Sequence, residues 1–199
     1  MLCVSLPINC KAKYRDEMSL FQGTTARHKS IITVRPAPRD ASRGILQFQN
    51  LTFQVSLGRH GRTAFKREGD GKTPIVSMAI LEGFYRGDRA PRVKTKVPLR
   101  AIRPNMLWCD APIDPNYNRL VRQPLSASHE EMCRSDGLYD ICLVLDWNIT
   151  TRKRGCGSAI FMHMIRPGYQ PTAGCIALHP RDMRRLLPHL EPGMIVQVL

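Results

Sequence analysis

From Ser30 onward, apolar and polar residues fall into short runs: IITVRP, GILQFQ, LTFQVSLG, TPIVSMAIL, KTKVPLRAI, ICLVLDW, SAIFMHMI and a terminal MIVQVL. Each run is rich in β-branched and other apolar side chains. Each is bounded by Gly, Pro or Asp, which interrupt pairing, so the pattern predicts a mainly β domain. One segment has a different period. Met183, Leu186, Leu187 and Leu190 fall at i, i+3, i+4 and i+7 behind Pro180, Arg181 and Asp182. That spacing predicts a short amphipathic helix ending by Pro192-Gly193.

Two stretches between the strands are irregular. GRHGRTAFKREGDGKTP, residues 58 to 74, reads as a long turn, because its glycines and Asp70 favour bends and Pro74 cannot donate within a ladder. Gly71-Lys72-Thr73 invites a phosphate loop, but that motif needs a glycine at position 66, where Lys66 stands. From Leu81 to Asp136 the pattern loosens into connections rich in Pro, Arg and Asn, with a short helix expected over His129 to Arg134. Long irregular segments in compact domains often carry function, so this region is expected to cap a substrate.

With 199 residues, 43% of them apolar, the chain suits a single packed core. The reading is a leader over residues 1–30, poorly ordered, followed by one domain over 31–199. Thirty Lys and Arg against 16 Asp and Glu give a formal charge of +14, which favours anionic partners. The basic residues are scattered and only 7% of residues are aromatic, which argues against nucleic acid as the partner. A non-catalytic basic module binding glycan or nucleic acid remains the remote alternative.

The seven cysteines include no CxxC pair and no regular disulfide spacing, which suits a reducing compartment. Cys156, His163, Cys175 and His179 match no common zinc spacing, so no metal is expected. MLCVSLPINCKAKYRDE has its charges after the apolar stretch, the wrong order for a secretory signal, and no run is long enough to span a membrane. Read as given, the chain is cytoplasmic, with Met18 an alternative start; a misassigned start hiding an export signal would place it in the periplasm or cell envelope.

Candidate chemistry concentrates in HMIRPGYQPTAGCIAL, residues 163 to 178. A strand ending at His163, a loop turned by Pro167, Gly168 and Pro171, and a strand opening at Cys175 can bring the two side chains together. A thiol held as thiolate by an imidazolium, near backbone N–H groups able to receive an oxyanion, is a nucleophile. Gly174 permits both a tight bend and close substrate approach. The spacing equally fits a buried, inert Cys175 beside a structural His163.

The segment GSAIFMHMIRPGYQPTAGCIAL resembles the active-site signature of the L,D-transpeptidase (YkuD-like) family, in which a His precedes an S/T-x-G-C element. GRHGRTAFKREGDGKTP resembles that family's Gly-containing lead into a Thr-Pro, and the similarity covers residues 31 to 199. The resemblance implies a β-sandwich catalytic domain without a cofactor. It implies Cys175 as nucleophile, His163 as general base and later acid, and the Met164 carbonyl as the group orienting the imidazole. It further implies an oxyanion hole from the amides of Gly174 and Cys175, and loop support from Thr172.

The implied donor is a peptidoglycan stem tetrapeptide, free or within a muropeptide. Cys175 would form a thioester with release of D-alanine, resolved by an amine to give a 3–3 cross-link or by water in an L,D-carboxypeptidase; carbapenems would acylate the same sulfur. Three positions depart from the family's pattern: Ala173 where His is usual, Ala177 where Arg is frequent, and Val76 where Gly is common. Arg166 is either a replacement cation gripping a carboxylate or a solvent-facing side chain. Tyr169 is either a substrate wall or a turn residue.

Overall fold

The structure, a computed structural model, describes residues 31–90 and 93–199. The leader expected over residues 1–30 lies outside the described residues. The chain forms β1 (Ile32–Ala37), β2 (Asp40–Phe48), β3 (Leu51–Ser56), β4 (Arg62–Thr63), β5 (Thr73–Pro74), β6 (Ser77–Tyr85) and β7 (Leu99–Ala101). It continues through β8 (Met106–Cys109), β9 (Arg119–Arg122), β10 (His129–Glu131), β11 (Ile141–Leu145), β12 (Phe161–Met164) and β13 (Ile176–Leu178). A helix, α1 (Pro180–Leu186), and a last strand, β14 (Ile195–Val198), complete it.

The mainly β fold expected from the alternating runs is present. The main sheet has the order β11-β12-β13-β3-β2-β1-β14-β6-β7, and β11 also pairs with β6. The sheet therefore closes on itself through eight strands, with β7 added alongside β6, so opposing walls face each other across a shared core. Closure removes the unpaired edges that β11 and β6 would otherwise expose. The interior holds Ile32, Val34, Leu46, Phe53, Ile80, Leu143 and their neighbours, all nearly inaccessible to solvent.

The helix lies where the 3.6-residue spacing predicts. His179 caps its first turn by accepting from the Arg181 N–H, and Pro180 occupies a position whose N–H has no helical partner. Met183, Leu186, Leu187 and Leu190 are all fully buried in the main core. Burying each is worth roughly 1.5–3 kcal/mol, which seats the chain that follows β13.

Residues 81 to 136 differ from expectation. β8, β9 and β10 form a separate three-stranded sheet in the order β10-β8-β9, and the helix expected over His129 to Arg134 is instead the strand β10. The physical reason is pairing: His129, Glu130 and Glu131 lie opposite Cys109, Trp108 and Leu107. Tertiary hydrogen bonding thus overrides a short polar segment's weak local preference. The long turn of residues 58 to 74 also carries structure, the short parallel pair of β4 and β5.

Candidate active site

β12 and β13 are parallel neighbours, with Met162 opposite Ile176, His163 opposite Ala177 and Met164 opposite Leu178. Side chains alternate between faces of a strand. Met162, Met164, Ile176 and Leu178 enter the main core, so Phe161, His163, Cys175 and Ala177 take the other face. That face packs against Trp108, Met132 and Tyr139 in a second buried cluster. The small sheet and its flanking loops therefore cover the strands that carry the base and the thiol. His163 and Cys175 both open into a cavity of about 230 Å³, which Arg59, Glu130, Arg134 and Arg166 also line.

His163 is buried, and its Nδ1 lies 2.6 Å from the Met164 carbonyl oxygen. A carbonyl only accepts, so Nδ1 carries the proton and Nε2 keeps its lone pair. The ring of Tyr139 meets the imidazole edge-on, with centroids 5.3 Å apart. On the sulfur, the Phe161 N–H donates to Sγ at 3.4 Å, and the thiol donates to the Ala159 carbonyl at 3.2 Å.

The turn before Cys175 is held from both sides. Thr172 Oγ1 donates to the Cys175 carbonyl at 2.8 Å and accepts from the Gly174 N–H at 3.1 Å. The Thr172 N–H donates to the Leu57 carbonyl, and the Arg59 N–H donates to the Thr172 carbonyl, both at 2.9 Å. Gly174 has φ +141°, and a Cβ there would lie 2.8 Å from the Lys72 carbonyl oxygen. Only glycine satisfies both the backbone angle and the close approach of the 58–74 loop.

A model of the L,D-transpeptidase catalytic domain (YkuD) matches residues 40–198. The chain belongs to this family. An L,D-transpeptidase from Mycobacterium smegmatis is similar in structure at 14% identity and a TM-score of 0.39, over 86% of this chain and 58% of that one. Mycobacterium tuberculosis L,D-transpeptidase 1 is similar at 14% identity and a TM-score of 0.38, over 85% and 62%. The chain thus spans about three fifths of the length of these structures. No curated protein matches it.

Within this L,D-transpeptidase domain, electrostatics alters one expectation. Burial pushes the His163 imidazole down to about 4, against a smaller upward pull from its bond to Met164. Burial likewise pushes the Cys175 thiol up to about 12, although the Phe161 N–H bond opposes this. The resting pair is a neutral thiol and a neutral imidazole, not the thiolate and imidazolium that the sequence suggested.

Other site residues fall on both sides of expectation. Arg166 and Thr172 line the cavity. Arg166 Nη2 is 3.9 Å from Asp136 Oδ2, a loose contact that leaves the guanidinium able to turn toward a ligand. Tyr169 is not on the cavity wall. The turn at Pro167–Tyr169 puts it at φ +57°, and its ring lies under the Arg43 guanidinium, 5.3 Å away, so it serves as a turn residue. Gly174 also departs from its expected part, because its N–H is engaged by Thr172. Among the described residues, the Cys175 N–H has no such side-chain partner.

Sequence reasoning missed Glu130, Arg134 and Tyr139. Arg134 pairs bidentately with Asp136, at 2.9 Å through Nε and 2.6 Å through Nη2, and its Nη1 is 3.6 Å from Glu130. The Tyr139 hydroxyl donates to Glu130 at 3.3 Å. Burial raises the Glu130 carboxyl, partly offset by Arg134. No spacing marks these residues, since strand pairing brings them to the cavity from separate segments.

Among the described residues, no three His, Cys, Asp or Glu side chains gather as metal ligands, and no helix is long and apolar enough to cross a membrane. Cys109, Cys133, Cys142 and Cys175 are free thiols.

Proposed function

We propose that the protein is a cysteine acyltransferase acting on peptidoglycan stem tetrapeptides, with Cys175 as nucleophile and His163 as general base. The observation that carries this reading is that one cavity receives both the thiol and an imidazole whose tautomer is fixed by the Met164 carbonyl. As Sγ attacks the carbonyl of the third stem residue, the thiol proton passes to His163 Nε2. The Cys175 N–H donates to the developing oxyanion. Collapse breaks the bond to D-alanine, whose nitrogen takes the proton from His163 as it leaves, and a thioester remains. An amine from a second stem then attacks and gives its proton to His163, which passes it to Sγ as the C–S bond breaks, so the 3–3 cross-link forms and the thiol is restored.

Arg166 and Arg59 at the cavity wall supply positive charge for the donor's carboxylates. In this role Arg166 offsets the absence of a cation at Ala177. Water as the second nucleophile gives the L,D-carboxypeptidase outcome through the same thioester.

The test is mass spectrometry of the protein incubated with a diaminopimelate-containing tetrapeptide, with and without an amine acceptor. A thioester on the Cys175 peptide, free D-alanine and a joined product are the expected results. Joined product fits action on polymeric stems in the cell envelope. Tripeptide alone in both mixtures fits trimming of soluble muropeptides in the cytoplasm. Turnover that survives Cys175→Ala would overturn the assignment.

A further inference from the structure

At rest the thiol proton of Cys175 goes to the Ala159 carbonyl, and the imidazole is not among its partners. Ala159 has φ +51°, a left-handed conformation that is unfavourable for any residue with a Cβ and needs outside support. The support comes from Asn118, whose Oδ1 accepts from the Ala159 N–H at 3.1 Å. Asn118 is itself 1% exposed and left-handed, at φ +57°. Its Oδ1 also accepts from Trp108 Nε1 at 3.0 Å, and its Nδ2 donates to the carbonyls of Trp147 at 3.1 Å and Asn148 at 2.8 Å. Those four bonds use the full capacity of a side-chain amide, so Asn118 has one orientation only. Next to Ala159, the Ser158 hydroxyl is fixed by Glu68 at 2.9 Å.

The two backbone groups at the sulfur act in opposite senses. A carbonyl accepts from a neutral thiol and repels a thiolate, while the Phe161 N–H favours the thiolate. We propose that Asn118 is a positioning residue for the nucleophile: it holds Ala159 in the turn whose carbonyl takes the Cys175 proton, keeping the sulfur protonated and turned from His163 until substrate enters. When His163 Nε2 accepts the proton, the S–H bond breaks, the contact to Ala159 is lost and the one to Phe161 remains. The freed electron pair forms the bond to the substrate carbonyl carbon. The proposal rests on Cys175 being the nucleophile, but its test needs no substrate.

The rate at which a small neutral electrophile alkylates Cys175 is followed by peptide mass mapping across pH, in the full chain and in Asn118→Ala. Releasing a neutral hydrogen bond to the thiol should speed Cys175 alkylation about tenfold at a fixed pH below its midpoint, equivalent to moving that midpoint down by about one. Trp108→Phe removes another bond from the same amide but spares the one to Ala159, so it should leave the alkylation rate unchanged. An unchanged pH dependence in folded Asn118→Ala, or equal acceleration in Trp108→Phe, would overturn the proposal. Should Asn118→Ala not fold, the infrared difference spectrum between the native chain and Cys175→Ala decides. An S–H band at the lowered frequency of a hydrogen-bond donor supports the contact, and a band at the free-thiol frequency refutes it. Either failure leaves the thioester test untouched, and failed turnover leaves this one readable.

Discussion

Replacing His163 by Gln isolates the burial of the imidazole as a stability effect. Glutamine retains a donor for the Met164 carbonyl, which His163 Nδ1 meets at 2.6 Å, but does not titrate. Burial lowers the folded-state value from 6.5 to about 4, so the native protein binds the proton less well than the unfolded chain does. Stability linked to His163 is complete above 6.5 and is lost as pH falls toward 4. At about pH 4.5 the loss is roughly 2–3 kcal/mol, and above about pH 7.5 it is negligible. With a urea slope of about 2 kcal/mol per molar, the native midpoint should drop by roughly 1 M more than that of His163→Gln between those two pH values. Urea titrations of both proteins at both pH values measure this difference directly, because other titrating carboxylates contribute equally and cancel. Equal drops in the two proteins would refute a buried, neutral imidazole.

Three further outcomes follow from the site. Acylation of Cys175 by a carbapenem should be nearly flat between about pH 5 and pH 9, since neither His163 nor Cys175 changes charge there; a steep rise centred near pH 6.5 in stopped-flow fluorescence would contradict this. Gly174→Ala combines an unfavourable φ with a Cβ 2.8 Å from the Lys72 carbonyl, so it should lose about 2–4 kcal/mol in denaturant and most of its acylation rate; native-like behaviour in both assays would sink the account of that turn. Arg166→Gln should raise KM for a carboxylate-bearing donor several-fold while Tyr169→Phe leaves it unchanged, and steady-state kinetics showing the reverse would exchange their roles.

Alternation made β1, β2 and β3 legible, because each buries one face and leaves the other partly exposed, whereas β11 and β12, buried on both faces, were legible as short apolar runs bounded by turn residues. The spacing of Met183, Leu186, Leu187 and Leu190 located the helix for the same reason. The small sheet was not legible. β8 is buried at all four positions and β10 is His-Glu-Glu, so neither alternates, and their pairing depends on residues twenty or more positions apart in sequence. His163 and Cys175 could be read from the chain because one short loop joins them. The side chains around them arrive through closure of the sheet, with Tyr139 just before β11 and Glu130 on β10. The direction of Tyr169 turns on one left-handed residue after Gly168, a choice that composition does not encode.

The parallel pairing of β12 and β13 separates two jobs within one strand–loop–strand unit. Ladder hydrogen bonds and the buried methionines, isoleucine and leucine hold these strands together, while Arg166 and Gln170, in the loop between them, line the cavity. Changes at those two positions are therefore free to alter what is recognised without disturbing how the proton moves. Substrate choice in this scaffold can drift on a chemical apparatus that stays put.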